Sequence, residues 1–546
     1  MIFIRPLIFI IFLLLYPGCN QSQEVSFLNL KKAFIGWHLK SNPVMSEKFN
    51  QLENIEGWRD FSNDGLDEYF ADLQRFFIEL SQIDRSKLSD ALEFEYLVLW
   101  SYLRNTIYFE NKLNPYRFDL TIWAKTIEDG LSNINLECGT LTAREENILK
   151  TRLFGIEEIV YNIKSHFSYP VNILNEEGKN KFLNINNRML EFLYECEVDS
   201  NLYQRWDQAI LSSHENLNSL INEINEKKVF DYPNVDKEIW KNGYEVYFGQ
   251  FLEELITAKE LNNEIWKTFS KMLELALPLY LKEYDEPIWV SKQDTLQVLK
   301  TVFNSLEKKN VNGTEVVEKS LDIMNDLEYE FKNKYFHDFK YPEFDFKVGD
   351  SSLFYQTIYK TNFKNGYRAH FYLPEIMDST FLVNEHFLKY KIINEIFPGK
   401  LNLNIQNSKS SKILKLLSDK IFYSGWTLYV QNLILNSNYI KKNPEVALLM
   451  LENKLVALLK LKTQINFFSD EEYEIESNMV FSIFSKTTLS SYWMKPYPNM
   501  DYLLLKSILE LKRSYNENNE NDLNSFNNFL SKHGSNFIFV RQNLID

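Results

Sequence analysis

The chain has 546 residues, 45% of them hydrophobic and 25% charged, a balance that excludes wholesale disorder and a length beyond one ordinary core. Lysine plus arginine number 60 against 75 acidic residues, for a formal net charge of −15. With no basic cluster to neutralise phosphates, this composition argues against nucleic acid as a partner.

The first element is a leader. MIFIRPLIFIIFLLLYPGC carries one charge, Arg5, and then an apolar run from Leu7 to Tyr16. That run is about half the ~20 residues a membrane helix needs, and it has the length of a signal-peptide core. Pro17-Gly18-Cys19 follows where an ordinary signal peptide would end in A-x-A. A small residue directly before a cysteine resembles the lipobox of bacterial lipoproteins, with Tyr16 standing where leucine is usual. The resemblance implies lipid attachment at Cys19, cleavage before it, a polar tether over residues 20–24 and a folded body from about Val25. It predicts an extracytoplasmic protein of the bacterial cell envelope, its membrane contact made through the anchor. An ordinary secretory signal and an uncleaved anchor are the competing readings, and no basic amphipathic helix suggests a second membrane contact.

Once Cys19 is acylated, only Cys138 and Cys196 remain. They can pair in an oxidising compartment. Each sits in an apolar or mixed helical context, which favours two separate buried thiols. No CxxC is present, so there is no thiolate metal or redox motif. The seven histidines are scattered, with no two within five residues of each other.

Glycine (16) and proline (14) are sparse, so elements should be long and turns few. Leu92, Tyr96, Leu99, Tyr102 and Leu103 recur at helical spacing, as do Leu217, Leu220, Ile221 and Ile224. Leu448, Leu451, Leu455, Leu458 and Leu459 form a third stripe. Each predicts a helix burying one face. The departure is Lys347 to Leu373, where turn residues alternate with short Tyr, Phe and Ile runs and predict a few strands. A polar connector over 516–522 precedes a last short helix. The predicted fold is mainly α with a small β excursion around 345–375. The organisation read from the chain is a signal over 1–19, a tether over 20–24, an N-terminal helical region over 25–340 and a C-terminal region over 341–546.

Chemistry concentrates in two segments. Asn394-Glu395-Ile396-Phe397-Pro398-Gly399-Lys400 reads as a helix end stopped by Pro-Gly, and Tyr423-Ser424-Gly425-Trp426-Thr427-Leu428-Tyr429 follows a polar loop. The upstream segment resembles H-E-x-x-P-G-H, the signature of the bacterial domain-of-unknown-function family 885. The downstream segment is similar to that family's E-G-W-A-L-Y. Other landmarks follow in order: Asn114-Pro115-Tyr116 resembles N-P-x-x-Y, and Asn242-Gly243-Tyr244 opens a stretch similar to the central helices. The strand from Gly366 to Tyr372 resembles R-P-G-x-F-Y, and Tyr497 to Tyr502 lies where P-G-Q-A-L-x-Y is usual. Phe526-Asn527 with Gly534 resembles a terminal F-H-D…G element. The resemblance spans roughly Leu80 to the C-terminus. It implies a large zincin-like helical peptidase scaffold, lipoprotein character and, in the family, zinc.

Carried over position by position, the motif histidines are Asn394 and Lys400, and the glutamate before Gly-Trp is Ser424. Only Glu395 survives, and in a zincin that residue is the general base rather than a ligand. Catalytic zinc needs about three protein ligands. Amide, ammonium and hydroxyl groups do not supply them, and Lys400 adds positive charge where a cation should bind. An ungapped reading also turns the family's D-T-G-x-H into Gln464 to Phe468. The two motif histidines are six apart, on different faces of a straight helix, so the Pro-Gly must bend the chain.

The favoured expectation is a lipid-anchored protein that has lost zinc and catalysis, needs no cofactor and binds a peptide, glycan fragment or protein. Trp426, Tyr429 and Trp493 are its candidate cleft residues, although aromatics at such spacing more often form core. The alternative is a hydrolase with a displaced or metal-independent site, in which Glu395 acts as acid/base and His386 and His370 join it. A serine route through Ser424 lacks the G-x-S-x-G elbow. A purely structural envelope role is the third reading.

Overall fold

The computed structural model describes residues 22–49, 56–131, 138–197, 199–230, 236–283, 292–306, 310–312, 315–336, 343–349, 357–362, 366–374, 382–407, 411–417, 421–469, 500–518 and 523–533. Cys19, Trp493, residues 497–499 and Gly534 lie outside them. The fold is mainly α, as the stripes predict.

The N-terminal half runs through α1 (Gln23–Ser41), α2 (Pro43–Lys48), α3 (Asn63–Ser81) and α4 (Asp90–Thr106). A π-helical turn over Ile107–Lys112 leads to α5 (Leu120–Gly130), α6 (Ala143–Phe154), α7 (Ile156–His166), α8 (Asn172–Cys196) and α9 (Ser200–Glu226). Starts are capped as the sequence allows. Ser62 accepts from the amide of Gly65, and Thr142 and Glu145 form a reciprocal capping box. These helices enclose one core from Phe27 to Ile224, joined by Ile413, Leu416 and Leu417 from far along the chain.

The C-terminal half comprises α10 (Lys237–Phe248), α11 (Leu252–Leu255), α12 (Ala258–Glu283), α13 (Lys292–Leu306), β1 (Asn310–Asn312) and α14 (Val316–Tyr335). Then come β2 (Glu343–Gly349), β3 (Thr357–Asn362), β4 (Gly366–Pro374) and β5 (Leu382–Asn384). The last helices are α15 (Glu385–Glu395), α16 (Lys400–Asn407), α17 (Lys412–Leu416), α18 (Phe422–Leu435), α19 (Tyr439–Lys442), α20 (Pro444–Ser469), α21 (Asp501–Asn518) and α22 (Leu523–His533). Their apolar faces make a second core from Tyr244 to Leu530. The third sequence stripe lies here, with Leu448, Leu455 and Leu458 fully buried.

The β excursion forms as read, with strand order β2-β4-β3, β4 parallel to β2 and antiparallel to β3. Phe371 and Leu373 on β4 are fully buried. A separate ribbon pairs β1 with β5, Val311 opposite Val383. Three-residue strands are too short to show a period, so the sequence does not announce them.

One expectation is corrected. Cys138 and Cys196 form a disulfide, Cα atoms 5.5 Å apart, rather than two separate thiols. Local helical context carries no information about a partner 58 residues away. The segment preceding α6 passes the C-terminal end of α8, and that crossing is a tertiary fact.

Candidate functional site

Helix α15 is capped by Asn384, whose side chain accepts from the Phe387 amide at 2.7 Å, and it ends at Glu395. The amides of Ile396 and Phe397 both return to the Ile392 carbonyl, at 2.9 and 3.2 Å, closing the helix. The chain then doubles back through Pro398 and Gly399 into α16. A Cβ on Gly399 would stand 1.9 Å from the Asn394 carbonyl oxygen, so only glycine fits this reversal. This is the bend that the six-residue spacing requires.

The reversal brings Lys400 onto Glu395, Nζ to Oε1 2.5 Å, with side chains 35% and 15% exposed. Lys391, one turn before Glu395, lies close by. Burial pushes its ammonium pKa down, Glu395 opposes that shift and Lys400 adds to it. Asn394 is buried, and its Oδ1 accepts from Gln431 Nε2 at 2.9 Å. Gln431 in turn accepts from Asn453 Nδ2 at 3.2 Å, so three amides link α15, α18 and α20.

Helix α18 packs directly on the bend. The Trp426 indole donates to the Pro398 and Gly399 carbonyls at 3.2 and 3.1 Å. Beside it, a Cβ on Gly425 would lie 2.4 Å from the Leu504 Cβ, which explains the small residue between α18 and α21. Tyr429 donates to Asn527 Oδ1 at 2.6 Å, and Asn527 donates to the Tyr335 carbonyl at 3.0 Å. Burial raises the Tyr429 pKa well above the ordinary tyrosine range. Trp426 and Tyr429 are therefore core rather than cleft wall, a correction to the cleft assignment: both are completely buried. The apolar spacing that nominated them is the spacing of a packed face.

Ser424, half-buried on the first turn of α18, donates its hydroxyl to the Ile421 carbonyl at 2.8 Å. Gln464 accepts from the Tyr244 hydroxyl at 2.5 Å, so two separate landmarks, one on α10 and one on α20, meet in the core. His386 is buried on the first turn of α15, and His370 lies at the centre of β4, opposite Asp345 on β2 and Ile358 on β3. Among the described residues, no three of His, Cys, Asp and Glu stand close enough together to hold a metal ion. The three positions the motif assigns to ligands do not fit zinc. One is an amide already hydrogen-bonded, one an ammonium in an ion pair, and one a hydroxyl directed at its own helix.

Another polar cluster, in the first core, was not visible in the sequence. The Arg59 guanidinium lies 3.5 Å from the Tyr69 ring centroid and contacts Glu110 at 3.3 Å, and Tyr116 donates to the same carboxylate at 3.2 Å. His38 and Tyr102 pack edge to face nearby, ring centroids 5.5 Å apart. Glu110 sits in the π-helical turn, and Asn114, just beyond it, has a left-handed φ of 47°. Those two irregularities are invisible to periodicity.

No family model matches the sequence, and no curated protein matches it. Solved structures that share its fold include the following two. A candidate lipoprotein of unknown function from Shewanella oneidensis superposes with a TM-score of 0.70 at 15% identity, over 95% of this chain and 100% of its own. A candidate lipoprotein from Colwellia psychrerythraea gives 0.67 at 13% identity, over 96% and 98%. The chain thus has a mainly α fold found along its whole length in other bacterial proteins. The likeness to family 885 rests on the motifs quoted above. Among the described residues no helix is long and apolar enough to cross a membrane.

Proposed function

We propose that this is a lipid-anchored protein of the bacterial envelope. Its metallopeptidase-like helical scaffold serves binding of a peptide or protein partner rather than zinc-dependent hydrolysis. The observation that carries this reading is the Glu395–Lys400 ion pair. At the two ends of the motif, where zinc chemistry needs a free base and a neutral ligand, the base is held by an ammonium group. The adjoining amide chain from Asn394 to Asn453 occupies the first ligand position with structural hydrogen bonds. The leader ending at Cys19, and the fold shared with two candidate lipoproteins, support the anchor.

The test is metal content of the purified mature protein after mild zinc loading and desalting, read by plasma mass spectrometry beside a Glu395→Gln variant. The expected result is well below one zinc per chain in both. One tightly held zinc per chain, or a peptidase activity that Glu395→Gln abolishes, overturns the reading and favours the displaced-site hydrolase.

A further inference from the structure

We propose that the end of the first core where α1 begins rests against the lipid surface, and that the first core stands as a spacer holding the second away from the bilayer. The inference rests on the anchor reading and adds an orientation to it. Ser22, three residues beyond Cys19 in sequence, already caps α1 by accepting from the Val25 amide. Whatever their conformation, three residues reach no further than ~11 Å. The acylated cysteine therefore fixes which end of the molecule meets the membrane.

That end is well defined. Gln23 accepts from the Asp84 amide at 2.9 Å, and Glu24 accepts from the Ser89 amide at 3.0 Å. The start of α1, the turn after α3 and the start of α4 are thus tied together. Val25 and Leu28 are each 41% exposed on the first turns of α1, and Ile78 is 57% exposed on the last turn of α3. Three apolar side chains left to solvent at one bundle end suit the boundary between headgroups and acyl chains. The cations here already have partners: Arg85 lies 3.6 Å from Glu93, and Lys87 lies 3.1 Å from Asp84. The contact is therefore apolar and tether-driven, without a basic patch for anionic lipid.

The opposite end carries the second core. Helices α1 and α4 run in the same direction, since Lys31 pairs with Glu95 and Phe34 packs on Tyr102 further along both. From Asp90 to Arg104 the helix rises ~21 Å. There Arg104 donates to the Val246 carbonyl, and beyond it Tyr108 donates to the Ile239 carbonyl. The second core, with Glu395 and Lys400, is attached at that distal end.

The test uses the full acylated protein in phosphatidylethanolamine/phosphatidylglycerol vesicles containing headgroup-nitroxide lipid. Val25→Cys, Ile78→Cys and Tyr329→Cys each receive an environment-sensitive fluorophore. Cys138 and Cys196 are disulfide-bonded and do not compete for it. Tyr329 is 85% exposed on α14 of the second core. The expected result is loss of most fluorescence at positions 25 and 78 and no loss at 329. Intact-mass measurement of the same samples reports the acyl groups. A mass without them overturns the anchor reading itself, whereas an acylated protein quenched equally at all three positions, or mainly at 329, overturns the orientation alone.

Discussion

Buried polar side chains give the first core a pH-sensitive group, His38, and the second a hydrogen-bonded chain of amides through Gln431. His38 is buried against Phe34 and Tyr102, and burial, reinforced by the Arg59 guanidinium, lowers its pKa from 6.5 to about 3. A histidine with a depressed folded pKa binds fewer protons folded than unfolded between those two values. Its contribution to stability is therefore present above pH 6.5 and is lost as pH falls towards 3. The slope is at most ~1.4 kcal/mol per pH unit. Urea denaturation at pH 7 and pH 5 should show the loss, and His38→Gln should flatten it even if it lowers stability at both. An equal slope in the variant would place the acid sensitivity elsewhere. In the second core Gln431 joins Asn394 to Asn453, and Gln431→Leu would remove this partner from the buried Asn394 amide and the half-buried Asn453 amide. The expected cost is about 1–3 kcal/mol in the same denaturation assay. Neither role could be read locally, because a lone His or Gln in a helical stripe looks alike whether it is core, surface or site. Arg59 gave no signal at all.

The decisive element is the break between α15 and α16. The sequence marks it through Pro398-Gly399, and the helix end at Glu395 is legible from those two residues alone. What they do not reveal is how tightly the chain reverses. Gly399 approaches the Asn394 carbonyl so closely that Gly399→Ala should cost more than ~3 kcal/mol, a midpoint shift in chemical denaturation. A cost under ~1 kcal/mol would mean that the reversal opens easily. The same turn seats the Trp426 indole, so loss of a tryptophan near-ultraviolet dichroism band should accompany the destabilisation. At this scale Ser424, Trp426 and Tyr429 share a helix but not a role. Of the three, Ser424 alone retains exposure, because the side of α18 carrying the other two is enclosed by the motif bend and by Asn527 on α22.

Among the described residues, two large cores are built from different stretches of chain, with a small third cluster of Leu113, Phe118, Val171, Leu174 and Trp240, and α17 crosses back to close the first. The Cys138–Cys196 bridge lies in the first, closing a loop worth about 4 kcal/mol on loop-entropy arguments. Reductant should therefore lower the melting temperature, and the Cys138→Ser/Cys196→Ser variant should melt at the reduced value without further response to reductant. No response in the native protein would show that the bridge does not form in solution. The sequence by itself determined the helical class, the β excursion and the helix stop at Glu395, because periodicity and turn residues are local quantities. The tertiary structure alone decided that the cysteines pair, that Lys400 folds back onto Glu395, and that Trp426 and Tyr429, nominated for a cleft, are core. The pairing and the burial depend on distances between segments far apart in the chain, whereas Lys400 reaches Glu395 across five residues because the intervening reversal is as tight as Gly399 allows.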